Sequence, residues 1–130
     1  MAWEVFFYQT ARGDSPVEEF LDALSVKARA KCLAYIRQVE EHGFDLPRSV
    51  IAKVRDRIWE LRPEWSGTEY RFFYGAMVGR QIVILHAIQK QSQKLKAKDI
   101  HLAETRYQDV MKRLADETAE ATSPIHRRTD

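Results

Sequence analysis

The chain has 130 residues, of which 45% are hydrophobic and 31% are charged, as is usual for a single globular domain. Its one cysteine, Cys32, excludes an internal disulfide and a cysteine-rich metal site. The net charge is only +2, but residues 50–113 hold thirteen basic and seven acidic side chains. A basic middle region of this kind suits a partner that carries phosphates, and a merely solvated basic surface is the alternative.

The start of the chain and its hydropathy predict a cytoplasmic protein. The opening Met-Ala-Trp does not resemble the basic and then apolar leader of a secreted protein. No apolar run approaches the roughly 20 residues that a membrane helix needs. A single cysteine also fits a reducing compartment. We therefore expect no membrane partner.

The first part of the chain predicts one strand and two helices. Residues 3–9 are rich in aromatic and β-branched side chains, which favours a strand. Ser15 is suited to cap a helix that has Pro16 at its first position, with a capping box completed three residues after the serine. A second helix is predicted over residues 25–42. Cys32 lies on its apolar stripe and is expected to be a buried structural thiol.

The middle of the chain predicts three or four strands, and a last helix follows from about Ala97. The strand-like runs cover residues 50–54, 57–62, 69–75 and 81–88. Short breaks that contain glycine or proline favour antiparallel pairing, and the last run is apolar on both faces, as in an inner strand.

These elements predict an α+β domain over residues 1–115. We expect a small, mostly antiparallel sheet of about four to five strands. Two N-terminal helices and a C-terminal helix should pack on one side of it. Residues 116–130 turn polar and predict a flexible or loosely attached tail.

The basic middle region contains the candidate binding residues. Strand alternation places Arg62 opposite in direction to Leu61, and Arg71 opposite to its aromatic neighbours. The planar guanidinium of arginine pairs two phosphate oxygens and stays charged. Beyond the last strand, further cations follow at Lys90, Lys94, Lys96 and Lys98. Side chains from two strands and this loop can converge on one surface that binds nucleic acid.

Each candidate also has a structural explanation. Arg62 can pair with a strand neighbour such as Glu60 or Glu69. Arg71, between large aromatics, can be a residue at the edge of the core whose head reaches solvent. A histidine in an apolar strand, such as His86, is more often a satisfied structural residue than a catalyst. Nothing in the chain has metal-ligand spacing or the motif of a nucleotide-binding loop.

Several motifs together resemble a known toxin family. These are Trp-Glu-Leu-Arg at 59–62, Tyr-Arg-Phe-Phe-Tyr at 70–74, an apolar strand that ends in His-Ala at 86–87, and a lysine- and glutamine-rich segment before a helix. In this combination the chain, over about residues 3–114, resembles the HigB-like, phage-derived branch of the RelE/ParE toxin superfamily. The order of elements in that family agrees with the order predicted from the residues.

The resemblance implies the toxin of a type II toxin–antitoxin pair that cuts mRNA in the ribosomal A site. A cognate helix-turn-helix antitoxin would neutralise it, and no metal or cofactor is needed. By position, the implied catalytic residues are Arg62 and Arg71 on the phosphate, and His86 or Lys90 for proton transfer. Additional contacts to RNA would come from Lys53, Lys94 and Lys96.

Two other functions stay open at this stage. A ParE-like member of the same superfamily would inhibit DNA gyrase by binding, without being an enzyme. An inactive phage-derived protein would only bind nucleic acid or protein, with a strong salt dependence. The observation that separates the three is whether induction cuts mRNA, breaks DNA or does neither.

Overall fold

Three helices and seven strands make up the computed structural model, which describes residues 2–90, 97–116 and 122–128. The helices are α1 (Pro16–Asp22), α2 (Val26–His42) and α3 (Ala97–Ala115). The strands are β1 (Glu4–Tyr8), β2 (Ile51–Arg55), β3 (Ile58–Leu61), β4 (Glu64–Trp65), β5 (Thr68–Met77), β6 (Gln81–Gln89) and β7 (Ile125–His126). The α+β class, the three helices and the five longer strands confirm the prediction. The short strands β4 and β7 are additional.

The sheet is larger than predicted and it is mixed. Its strands lie in the order β2–β3–β5–β6–β1–β7, with β4 beside β5. β1 runs parallel to β6, with Val5 opposite Ile82, and the other pairings among the described residues are antiparallel. The predicted count of four to five strands is therefore too low, and the parallel pairing of β1 with β6 makes the sheet mixed, which the prediction of antiparallel pairing did not include. The helices α1 and α2 follow β1 and connect it to β2 at the far edge of the sheet. Because no tight turn joins β1 to β6, the two strands can run parallel. β6 is an inner strand, as expected.

Helices cover both faces of the sheet, rather than one side as the sequence suggests. On one face, α1 and α2 pack against Phe72 of β5. On the other, α3 packs against Phe73 of the same strand. Consecutive strand residues point to opposite faces, so apolar residues at both positions require cover on both sides. Among the described residues, no helix combines the length and the apolar character that crossing a membrane requires.

The sequence signals for the starts of α1 and α2 agree with the structure in part. Pro16 occupies the first turn of α1 as predicted, but the side chain of Ser15 makes no capping hydrogen bond, so the predicted capping box is not formed. At α2, the Ser25 hydroxyl accepts a hydrogen bond from the backbone N–H of Ala28 at 3.2 Å. Cys32 is buried on α2, and burial raises the pKa of its thiol to about 12, as expected of a structural cysteine.

Part of the predicted tail lies against the body of the protein. Within residues 122–128, β7 pairs antiparallel with the outer edge of β1. The guanidinium of Arg128 lies 3.3 Å from the carboxylate of Glu18 on α1. Residues 117–121 and 129–130 lie outside the described residues, so the domain boundary stays a prediction.

Candidate functional site

Several of the predicted site residues share the sheet face that carries α3. Glu60 of β3 lies opposite Phe73 of β5, and Phe73 lies opposite His86 of β6. Phe73 belongs to the apolar cluster beneath α3, which identifies this face. Arg71, two residues before Phe73 on the same strand, points the same way.

A β-bulge sets the direction of His86. The pairing of β5 with β6 shifts between Phe73 and Tyr74, which leaves Leu85 as an extra residue in β6. Simple alternation would place Leu85 and His86 on opposite faces. Instead Leu85 joins the cluster under α3, and the His86 ring stacks on Phe73 with 5.8 Å between ring centroids. Both side chains therefore lie on the α3 side of the sheet.

Arg71 is buried in a network with two carboxylates. It is 3% exposed. Its Nη2 lies 2.8 Å from Oε1 of Glu69, its Nη1 donates to the carbonyl oxygen of Tyr70 at 2.8 Å, and its Nε lies 3.7 Å from Oε2 of Glu60. Arg71 thus has a structural role, but its guanidinium is buried in this network and does not reach solvent as the structural explanation supposed. A phosphate can reach the guanidinium only if Glu69, whose side chain is 44% exposed, moves aside.

Glu60 is the buried carboxylate that both arginines share, and sequence analysis assigns it no role beyond pairing. Its Oε1 lies 3.3 Å from Nε of Arg62, and its Oε2 faces Arg71. Burial raises the pKa of Glu60, while the positive charges of Arg71, Arg62 and Lys90 act in the opposite direction. Neither Oε2 of Glu60 nor Nε of Arg71 has a hydrogen-bond partner among the described residues. The orientations of the two predicted arginines are therefore coupled through one acid.

Arg62 is the more accessible of the two arginines. Its side chain is 34% exposed, compared with 4% for Arg71. Besides its contact with Glu60, it donates from Nη1 to the carbonyl oxygen of Arg48 at 3.0 Å. The predicted pairing of Arg62 with Glu60 is present, but it leaves part of the guanidinium open to solvent. Arg62 can therefore contact a phosphate without a rearrangement.

The predicted lysines are distributed unequally. Lys90 is half-buried and its backbone N–H donates to the carbonyl oxygen of Glu69 at 2.8 Å. A hydrogen bond from Arg71 is the main cause that lowers the pKa of Glu69, and the charge of Lys90 contributes. Lys53 pairs with Trp59, which packs against the core under α1 and α2. The structure thus brings Lys90 to the arginines, and places Lys53 on the opposite face.

The last two of these lysines, Lys94 and Lys96, lie outside the described residues. Their predicted contacts with RNA therefore remain a prediction.

His86 makes a hydrogen-bond contact with a carboxylate that the sequence does not reveal. Its Nε2 lies 2.9 Å from Oδ1 of Asp99 in the first turn of α3. The two side chains are 16% and 14% exposed. Burial is the main cause that lowers the pKa of His86, and Asp99 acts against it. In sequence, an acid in the first turn of a helix suits the helix dipole, so Asp99 carries no distinguishing signal.

The site combines a histidine that can transfer a proton with cations that can bind an anion. Three cations, Arg62, Arg71 and Lys90, interact with two carboxylates, Glu60 and Glu69, which leaves one surplus positive charge when both acids are ionised. An open groove of about 560 Å³ runs along the first turns of α3, and Asp99 lies in its wall. Within the described ranges, no group of three or more histidine, cysteine or acidic side chains has the placement of a metal site.

Comparison with models of known protein families identifies the family of this chain. Residues 19–108 match the family described as "Phage derived protein Gp49-like (DUF891)". The chain belongs to the Gp49-like family. This family is part of the RelE/ParE-like toxin clan, so the resemblance to the superfamily is confirmed at that level, and the HigB-like branch stays a prediction. The matched segment runs from α1 into α3 and includes every residue of the charged network. A search of curated proteins found no match.

Proposed function

We propose that the protein is the toxin of a type II toxin–antitoxin pair and that it cleaves mRNA on the ribosome. The observation that carries this proposal is the His86–Asp99 pair, on the same face of the sheet as the arginine network, in a chain of the RelE/ParE-like clan. Histidine transfers protons near neutral pH, and arginine pairs with phosphate oxygens. Both capacities are needed to cut RNA without a metal.

The proposed cleavage uses the 2′-hydroxyl of the RNA as the nucleophile. His86 takes the proton of that hydroxyl while the 2′-oxygen bonds to the phosphorus. The bond from phosphorus to the 5′-oxygen breaks, and the ammonium group of Lys90 supplies the proton that the departing oxygen needs. Arg62 stabilises the negative charge that grows on the phosphate. The products are a 2′,3′-cyclic phosphate and a 5′-hydroxyl.

Arg71 contributes in a second arrangement. Its Nη2 is covered by Glu69, the exposed carboxylate of the network. A phosphate that takes the place of Glu69 would meet the guanidinium of Arg71 and stay close to Lys90. In that arrangement Glu60 continues to hold both arginines in position. Lys94 and Lys96 follow Lys90 in the chain and would contact the RNA further along.

We further propose that a small helix-turn-helix antitoxin neutralises the protein in the cell. A free toxin with this activity would stop growth, so a partner made from the same operon is required. Purification of the chain from its native operon should yield a complex with a small second protein. Recovery of the chain alone under these conditions would contradict the proposal.

Induced expression without the antitoxin tests the function. We expect growth arrest together with cleavage of translated transcripts, mapped by sequencing RNA 5′ ends. His86→Gln should abolish both, whereas His101→Gln, at an exposed position on α3, is the matched control and should retain both. DNA breaks with intact mRNA would select gyrase inhibition instead. Unimpaired growth and intact mRNA would leave only a binding function.

A further inference from the structure

The contact between His86 and Asp99 joins two separate elements. His86 lies on β6, and Asp99 is the third residue of α3. Their 2.9 Å separation is that of a charge-assisted hydrogen bond, and both side chains are largely withdrawn from water. A carboxylate in this position accepts a hydrogen bond from an imidazole N–H. The neutral ring is then held as the tautomer with its proton on Nε2, and the lone pair lies on Nδ1.

The environment of the ring keeps it neutral near pH 7 and fixes its plane. Burial lowers the pKa of His86, the charge of Arg106 adds to this effect, and Asp99 opposes both. Among the described residues, these two side chains of α3 are the ones whose charge acts on the pKa of the ring. Phe73 stacks on the ring with an interplanar angle of 16°. A neutral, oriented imidazole whose Nδ1 has no hydrogen-bond partner among the described residues meets the requirements of a general base.

The alternative is that the pair only fastens the start of α3 to the sheet. Other contacts already hold this helix in place. The Tyr107 hydroxyl donates to the carbonyl oxygen of Ala76 at 2.8 Å, and Arg106 donates to the carbonyl oxygen of Leu85 at 2.9 Å. The apolar residues under α3 provide most of the buried surface. A further tether made from a titratable pair is not needed for packing alone.

We propose that Asp99 is a positioning residue that holds His86 as the tautomer with Nδ1 free, so that Nδ1 takes the proton of the RNA 2′-hydroxyl. This inference rests on the proposed function. When the proton moves to Nδ1, the ring becomes positively charged, and the carboxylate of Asp99 stabilises that charge at 2.9 Å. The second proton transfer is unchanged, because Lys90 still supplies the proton to the departing 5′-oxygen.

The test compares Asp99→Asn with a matched control, Glu104→Gln. Both changes remove one carboxylate from α3 that contacts a basic side chain of the sheet, because Glu104 pairs with Arg55 at 3.2 Å. The tautomer and the pKa of His86 are read by ¹⁵N NMR of the labelled protein. Cleavage of mRNA is measured from pH 5 to 9 in a purified translation reaction. Thermal melting of each variant checks that it is folded.

In the wild-type protein we expect His86 to carry its proton on Nε2. Asp99→Asn should lower the pKa of His86, slow cleavage about 100-fold and move the acidic limb of the pH–rate profile to lower pH. Glu104→Gln should change none of the three. A wild-type ring with its proton on Nδ1 overturns the inference, whether or not the variant folds. So does a folded Asp99→Asn protein that cleaves as wild type does.

Different results would contradict the proposed cleavage of mRNA and the proposed role of Asp99. If the wild-type protein leaves mRNA intact, the proposed function is wrong, and the role of Asp99 in cleavage is wrong with it. If the wild-type protein cleaves mRNA and Asp99→Asn does so equally well, only the inference is wrong. The NMR measurement is independent of activity and reports the geometry in both cases.

Discussion

Replacing Arg71 by methionine should destabilise the protein more than the loss of an ordinary ion pair. The side chain is 4% exposed and its Nε faces Glu60, whose side chain is 5% exposed. Methionine fills a similar volume but leaves the Glu60 carboxylate buried, with Arg62 as its one remaining ion-pair partner among the described residues. Removal of one partner from a buried pair costs about 3–5 kcal/mol of the free energy of unfolding. For a domain of this size, that corresponds to a drop of roughly 10–20 °C in the melting temperature.

The matched control is Arg55→Met. Arg55 and Glu104 are 3.2 Å apart, but their side chains are 49% and 29% exposed, so solvent already screens the pair. Its loss should cost less than about 1 kcal/mol. Urea denaturation of wild type, the single variants Arg71→Met, Arg55→Met and Glu60→Gln, and the double variant Glu60→Gln/Arg71→Met supplies the comparison. The double variant should recover part of the loss, because no charge is then left buried without its partner.

A result in which Arg71→Met and Arg55→Met are equally mild would refute this reasoning. So would a double variant whose losses simply add. The same measurement bears on the predicted contact of Arg71 with the phosphate, which requires that Arg71→Ala loses toxicity and still folds. If Arg71 supports the fold as the structure indicates, loss of toxicity in that variant reports instability as well as a missing phosphate contact.

The remaining predictions concern three other features. Glu69→Gln should bind a 2′-O-methylated RNA oligonucleotide about tenfold more tightly, because it removes the negative charge beside Arg71 and leaves a weaker neutral hydrogen bond to its Nη2. Glu64→Gln removes an equal charge from β4 and should have less effect. Equal effects would contradict the displacement of Glu69 by a phosphate. Deletion of 122–130 exposes the edge of β1 and should cost about 1–2 kcal/mol, which an unchanged urea midpoint would contradict. The folded pKa of His86 lies below the ordinary 6.5, so the unfolded chain binds its proton first as pH falls. Stability should therefore decline from pH 6.5 downwards through the folded pKa, and His86→Gln should show a flatter decline.

Much of the secondary structure could be predicted because local signals agree with the fold. Pro16 at a helix start, glycine-rich breaks and runs of alternating side chains place most elements within a few residues of their positions. The parallel pairing of β1 with β6 could not be predicted, because two helices separate β1 from the strands and no local pattern names its partner. β7 was missed because a two-residue strand has no periodicity and depends on the edge that it joins.

The candidate site was predictable in composition but not in exposure. Alternation correctly directs Arg71 away from its aromatic neighbours, yet it does not show that α3 packs on the side to which the arginine points. Burial of Glu60 follows from the same packing, so the shared carboxylate could not be anticipated. Asp99 reaches His86 only because a bulge turns the histidine towards the helix. Such contacts between distant elements depend on the tertiary fold.

Cleavage of an mRNA in a purified translation reaction tests the central claim most directly. The wild-type protein should cut the message only when ribosomes translate it, and the downstream fragments should carry 5′-hydroxyl ends, as attack by the 2′-hydroxyl requires. Arg62→Ala, at the accessible arginine, should reduce the rate about 100- to 1,000-fold without a comparable loss of stability. An intact message, or fragments with 5′-phosphate ends, would contradict the account.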